Sequence, residues 1–148
     1  MRIWVDADAC PGPIKNVIIR AAERLGIETT FVANHFVSVP RSAHVTSVQV
    51  ATGFDVADDH IAAAVKPGDI VITQDIPLAA EIVDKGAAAL NPRGTLYTRE
   101  NIKSHLARRN FMEELRATGT LTGGPAALGR TDVADFANAL DRFLAQRD

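Results

Sequence analysis

Cysteine is almost absent from this chain: Cys10 is the only one in 148 residues, and Trp, Tyr and Phe together make up 5%. A lone thiol cannot close an internal disulfide, and it leaves no cysteine cluster for structural zinc. Long apolar runs are missing as well. No stretch reaches the ~18 residues that a membrane span requires. The opening Met1-Arg2-Ile3-Trp4-Val5 meets Asp6 before any signal-peptide apolar core can develop. The expectation is a cytoplasmic protein with no membrane partner. Positive charge is not in excess either: 16 Lys+Arg against 18 Asp+Glu leave −2, which weighs against a broad basic nucleic-acid footprint.

Several site signatures are lacking. The four histidines (His35, His44, His60, His105) show no His-x-x-x-His spacing of a zinc site. No Gly-x-Gly-x-x-Gly or phosphate-loop pattern occurs. Ser42 and Ser104 have no nucleophile-elbow context. A Cys-x5-Arg phosphatase loop is excluded because Asn16 stands six residues after Cys10.

What is present is a core-forming composition, 47% hydrophobic, in a length that suits one domain, residues 1–148. Strand and helix signals alternate. Arg2–Asp8 begins as an apolar strand and stops in acid. Pro11 and Pro13 open a helix, with Ile14, Val17, Ile18, Ala21, Ala22 and Leu25 on one stripe and Gly26 at its end. Glu28–Val32 and Val45–Ala51 read as strands around a loop over 34–44. A short helix follows over Ala57–Val65, ended by Pro67-Gly68. Ile70–Thr73 is a buried strand, Pro77–Asp84 a helix and Ala87–Leu90 a small-residue strand. This order predicts a mainly parallel sheet flanked by helices over residues 1–98.

Residues 99–148 read as a helical extension. The apolar phase of Arg99–Thr118 slips near Arg108–Asn110, which predicts two helices or a kink. Gly119–Arg130, with Gly123-Gly124-Pro125, reads as a mobile loop. Asp132 is expected to cap a last helix carrying Val133, Phe136, Ala137, Leu140, Phe143 and Leu144.

Charge is unevenly spread. Residues 1–92 carry 7 basic and 11 acidic side chains, and residues 93–148 carry 9 and 7. An acidic part at −4 thus precedes a part at +2, whose basic side chains concentrate over 93–116.

The acids fall at the ends of elements. Asp6 and Asp8 close the first strand, two residues apart and therefore expected on one face. Asp75 follows the Ile70–Thr73 strand. Ligands of open α/β sheets bind outside the carboxyl ends of strands. Asp55, Asp58 and Asp59 open a helix and can reach the same edge. Each acid also has a local explanation. Asp58 and Asp59 suit a helix N-terminal dipole. Asp55 is read as an N-cap before a ligand, Asp69 as a turn acid and Asp75 as a cap. Converging carboxylates raise one another's pKa, and Mg²⁺ or Mn²⁺ removes that cost through oxygen ligands. Such a site supports phosphodiester hydrolysis by a metal-bound water. Lys15, beside this edge in the first helix, and Arg93, after the last strand, are the candidate phosphate contacts. Asn34 and Arg41 are weaker ones.

Four ordered motifs carry a family resemblance: Asp6-Ala7-Asp8-Ala9-Cys10-Pro11, Gly53-Phe54-Asp55-Val56-Ala57-Asp58, Ile72-Thr73-Gln74-Asp75-Ile76-Pro77-Leu78-Ala79 and Asn91-Pro92-Arg93-Gly94. With Gly123-Gly124-Pro125, they resemble the bacterial YaiI/YqxD family over almost the whole chain. That family is grouped with PIN-like domains, whose characterised members are metal-dependent nucleases. The resemblance implies a PIN-like α/β fold, a Mg²⁺ or Mn²⁺ held by Asp6, Asp8, Asp58 and Asp75, and an RNA or other phosphodiester substrate. Asp59 lies outside the family pattern. Homodimers are common among PIN-like proteins, although no interface signal stands out here. Two alternatives stay open. One is a PIN-like module that binds metal or nucleic acid without turnover. The other is a phosphomonoesterase similar to haloacid dehalogenases, suggested by Asp6-Ala7-Asp8. Against it, Cys10 replaces the usual Thr or Val, and Gly68-Asp69 precedes its strand instead of following it.

Overall fold

The protein is represented by a computed structural model that describes residues 1–120 and 127–146. The first strand, β1 (Ile3–Asp6), is buried along its whole length. It runs inside a six-stranded sheet with β2 (Thr29–Ala33), β3 (Val45–Gln49), β4 (Ile70–Ile72), β5 (Ala88–Leu90) and β6 (Leu96–Tyr97). The strand order is β3-β2-β1-β4-β5-β6. Pairings from β3 through β5 are parallel, and β6 closes one edge antiparallel to β5. Continuous apolar strands such as Ile70-Val71-Ile72 follow from burial on both faces. The two-residue β6 was not anticipated, because so short a run carries no periodicity.

The chain leaves β1 in one direction to build β2 and β3, then returns to place β4 on the other side. The crevice outside the carboxyl ends of β1 and β4 is therefore a topological switch point. This is the feature of the fold that positions the site.

Helices α1 (Gly12–Leu25) and α5 (Arg130–Ala145) cover one face, and α2 (Val56–Ala64) and α3 (Ile76–Asp84) cover the other. On the first face Ile3 and Val5 meet Ile14, Ile18, Phe136, Leu140 and Leu144. On the second, Trp4 and Val71 meet Ile61, Leu78 and Ile82. Full burial of a Leu, Ile or Phe contributes about 1.5–3 kcal/mol, so the α5 stripe is integral to the core. Gly26 ends α1 in the left-handed conformation, at φ 65°.

Helix α4 (Ile102–Ala117) is one continuous helix, where two helices or a kink were expected. Only Ile102 of it is buried. A helix lying mostly in solvent need not keep one apolar phase, so the slip at 108–110 breaks nothing. The last helix starts at Arg130 with Gly129 as its N-cap. Asp132 is its third residue, and its carboxylate reaches back to the Gly129 N–H at 2.9 Å. The Gly123-Gly124-Pro125 loop lies outside the described residues. Among the described residues no helix is long and apolar enough to cross a membrane.

Candidate functional site

Side chains alternate along β1, so Asp6 continues the side of Trp4 and faces α2 and α3. It is only 8% exposed. Its Oδ2 accepts a hydrogen bond from the Thr73 hydroxyl at 3.1 Å. Thr73 Oγ1 in turn accepts from the Asp75 N–H at 3.0 Å. One buried hydroxyl thus ties the end of β1 to the segment after β4. Asp75 caps α3, as its position before Ile76-Pro77 suggested: its Oδ1 accepts from the Leu78 N–H at 2.9 Å.

Asp58 lies in the first turn of α2, where its carboxyl stands close to that of Asp75. Asp55 is the N-cap residue of α2 by position, but its carboxylate accepts no helix N–H. Its backbone is left-handed, at φ 61°. Each of Asp55, Asp58 and Asp75 offers a carboxylate oxygen within 4.8 Å of the others. The sequence reading placed the cap role of Asp55 first. Its three-residue spacing to Asp58 on a helix start was the available signal for the other role.

Asp8 is held differently. The strand ends at Asp6, and Ala7–Ala9 form a 3-10 turn, so the expected two-residue alternation does not extend to Asp8. Both its oxygens accept from the Asn34 N–H, at 3.1 and 3.2 Å. His35 Nδ1 lies 2.9 Å from its Oδ1. Gln74 fastens the same turn by donating to the Ala9 carbonyl at 2.6 Å. A cleft of about 360 Å³ gathers Asp6, Asp8, Asn34, Asp55, Asp58 and Asp75.

The electrostatics follow from this crowding. Burial pushes Asp58 up to about 7, aided by the adjacent Asp75 carboxyl and by the charges of Asp6 and Asp55. Asp6 is also raised, by burial first and then by Asp8 and Asp75, against the lowering effect of Thr73. The cleft therefore holds more negative charge than it stabilises, and a hard cation relieves that. Burial, with Asp6 nearby, pushes Cys10 up to about 12. Its thiol stays protonated near neutral pH and is no nucleophile.

The structure does not bring Lys15 or Arg93 to the cleft. Lys15 Nζ donates to the Ser38 carbonyl and ties the loop after β2 to α1. It lies on α1, which covers the sheet face opposite the Asp6 carboxylate. Arg93 Nη1 pairs with Asp132 Oδ2 at 2.8 Å. Asn91 Oδ1 accepts the Arg93 N–H at 2.6 Å, and Gly94 adopts φ 95° with Asp135 backbone 2.8 Å from where a Cβ would lie. The Asn-Pro-Arg-Gly turn thus fastens α5. Asp69 is a buried acceptor for the Arg2 and Lys66 N–H groups and for Trp4 Nε1. His60 packs edge-on against Trp4. Asp59 lines an adjoining groove of about 250 Å³ that shares Asp55, Asp58 and Asp75 with the cleft and adds Phe54 and Arg109. Arg109 of α4, from the basic segment over 93–116, is the cation in this groove's lining.

A mainly parallel sheet with carboxylates gathered at its switch point defines the class: an α/β protein with an acidic cleft at one sheet edge. Within that class, residues 4–146 match the family described as "Uncharacterized BCR, YaiI/YqxD family", and the chain belongs to it. Similar proteins include the UPF0178 protein of Halorhodospira halophila, 60% identical over 99% of this chain and 97% of that protein. The UPF0178 protein of Vibrio atlanticus is 58% identical over 99% of this chain and the whole of its own. That of Vibrio cholerae El Tor is 56% identical over 99% of each.

Proposed function

We propose that this protein is a Mg²⁺- or Mn²⁺-dependent nuclease of the bacterial cytoplasm that hydrolyses phosphodiester bonds, with RNA as the first substrate to test. The observation that carries this reading is the carboxylate trio of Asp55, Asp58 and Asp75, its oxygens within 4.8 Å of one another. The buried Asp6 stands on the same cleft. All these donors are hard oxygens, the set that suits Mg²⁺ or Mn²⁺. The grouping with PIN-like domains that the sequence resemblance implies points the same way.

In this proposal Asp55, Asp58 and Asp75 hold the ion and Asp6 backs them. A bound ion of this kind supplies an activated water and polarises a phosphoryl oxygen. The chain's own residues prepare the place. Thr73 fixes Asp6 and the Asp75 backbone at once. A cation held there would favour the ionised form of Asp58. Asp8, held by Asn34 and His35, serves as an acceptor on the cleft wall.

The test is cleavage of an end-labelled single-stranded RNA with Mn²⁺, with Mg²⁺ and with EDTA, by wild type, Asp6→Asn and Asp75→Asn. Both variants keep the acceptor that Thr73 or Leu78 uses. Metal-dependent cleavage lost in both supports the reading. Equal cleavage by all three marks a contaminant and overturns it. Phosphate release from monoesters without internal cleavage, or binding without product, overturns it in favour of a phosphomonoesterase or a binding module.

A further inference from the structure

Phe54 is 95% exposed and stands at the groove that shares Asp55, Asp58 and Asp75 with the acidic cleft. Its neighbour Asp55 is the only non-glycine with positive φ among the described residues. Such a backbone costs about 1–3 kcal/mol. The Asp55 carboxylate does not offset that cost by capping α2, and the exposed phenyl ring adds nothing to the core. What the turn achieves is placement: one side chain joins the carboxylates while the preceding ring stands in solvent beside them.

Arg109 lines the same groove from α4. Its guanidinium donates to Asn110 Oδ1 at 3.1 Å, and among the described residues it forms no ion pair. A protein partner would bury Phe54 within a wider apolar patch. Here the groove beside the ring is lined mostly by charge, Asp55, Asp58, Asp59, Asp75, Glu81 and Arg109, with Pro77 and Leu78 as its apolar members. A flat apolar face beside a planar cation suits a ligand that is itself flat, apolar on its faces and anionic on its backbone. An unpaired nucleotide has this chemistry: bases stack on aromatic rings regardless of sequence, and Arg takes phosphate through paired N–H donors.

We propose that Phe54 stacks an unpaired base and Arg109 grips a phosphate of the same strand, which makes these two residues the determinants of single-strand binding. This rests on the phosphodiester reading above and replaces Lys15 and Arg93 as its substrate contacts. A duplex is a poor ligand, because its bases already stack on one another.

The test is fluorescence anisotropy of a labelled single-stranded oligouridylate with hydrolysis-resistant phosphorothioate linkages in Mn²⁺, with the matching duplex as competitor, run beside the cleavage assay on unmodified RNA. Thermal melting confirms that each variant is folded. Phe54→Ala is expected to weaken single-strand binding about tenfold or more, with Phe54→Trp restoring it. Arg109→Ala is expected to weaken it several-fold and to lower its salt dependence. Folded Phe54→Ala that binds within twofold of wild type overturns the inference. The nuclease reading survives if cleavage still requires Asp75. The converse result, Phe54-dependent binding without cleavage by wild type, supports the stacking role and overturns the nuclease reading. Wild type that binds no single strand overturns both.

Discussion

Two turns of this chain look alike in sequence and serve opposite ends. Gly53-Phe54-Asp55 and Asn91-Pro92-Arg93-Gly94 each combine glycine with polar residues just outside a sheet strand. The second is closed on itself and on α5. Asn91 accepts the Arg93 N–H, Arg93 pairs with Asp132, and Gly94 leaves no room for a Cβ. The first is open: Phe54 stands in solvent, and Asp55 bears a left-handed backbone without capping α2. A turn whose polar groups satisfy one another belongs to stability. A turn that leaves a carboxylate and an aromatic ring uncommitted is available to a ligand.

The largest effect that would sharpen this contrast is on activity. Asp75→Asn keeps a good N-cap and removes a charge from the carboxylate trio. Cleavage is expected to fall by about 100-fold or more, beyond the roughly 10–100-fold typical of losing a group behind a metal ligand. Melting should shift little. Retained cleavage in single-turnover assays would break the assignment.

Next is Gly94→Ala, at φ 95° and against Asp135. A destabilisation of about 2–3 kcal/mol is expected in urea titrations, with cleavage per folded molecule unchanged. An unshifted midpoint would show that the turn does not hold α5.

The third effect is on pH. In protein stripped of divalent cations, Asp58 binds its proton more tightly folded than unfolded, with its pKa raised to about 7. The folded state then holds more protons than the unfolded one between pH ~4 and ~7, so this carboxyl's contribution to stability falls as pH rises through that window. Asp58→Asn should flatten the decline, and Mg²⁺ should counter it near pH 7. Melting curves of wild type and variant that run parallel across this range would refute the crowding.

The smallest effect is that of Arg93→Ala. Its pair with Asp132 is partly exposed, 35% and 27% on the two sides, so a loss of about 1 kcal/mol is expected. RNA binding should be unchanged. Weaker binding at unchanged stability would return Arg93 to the substrate and erase the contrast between the turns.

Much of this was legible in the residues. Alternating strand and helix signals gave the parallel sheet. Asp6 and Asp75 lie at the ends of apolar strands, and ligands gather at such ends in this architecture. The Asp75 cap followed from its place before Ile76-Pro77. The misreadings share one cause. Asp8 was expected beside Asp6 through strand alternation; it lines the same cleft, but from the 3-10 turn, because the strand ends two residues before it. Lys15 was expected at the acidic edge; it stands in the first turn of α1 and donates to the Ser38 carbonyl without lining the cleft. Asp55 was read as a cap because caps are a local pattern, and its place with Asp58 and Asp75 is not local.

The linear order of residues already marks where each element ends. That is settled within a few residues by apolar period, proline, glycine and charge. It also determined that the near-zero net charge divides into an acidic part and a more basic one. Only the tertiary structure decided which of those ends meet. Strand order places β4 beside β1, so Thr73 can bind Asp6. Neither Lys15 nor Arg93 lines the cleft, whereas Arg109, more than thirty residues from Asp75, lines the groove beside it. Contacts of that kind depend on how layers pack, and no local spacing encodes them.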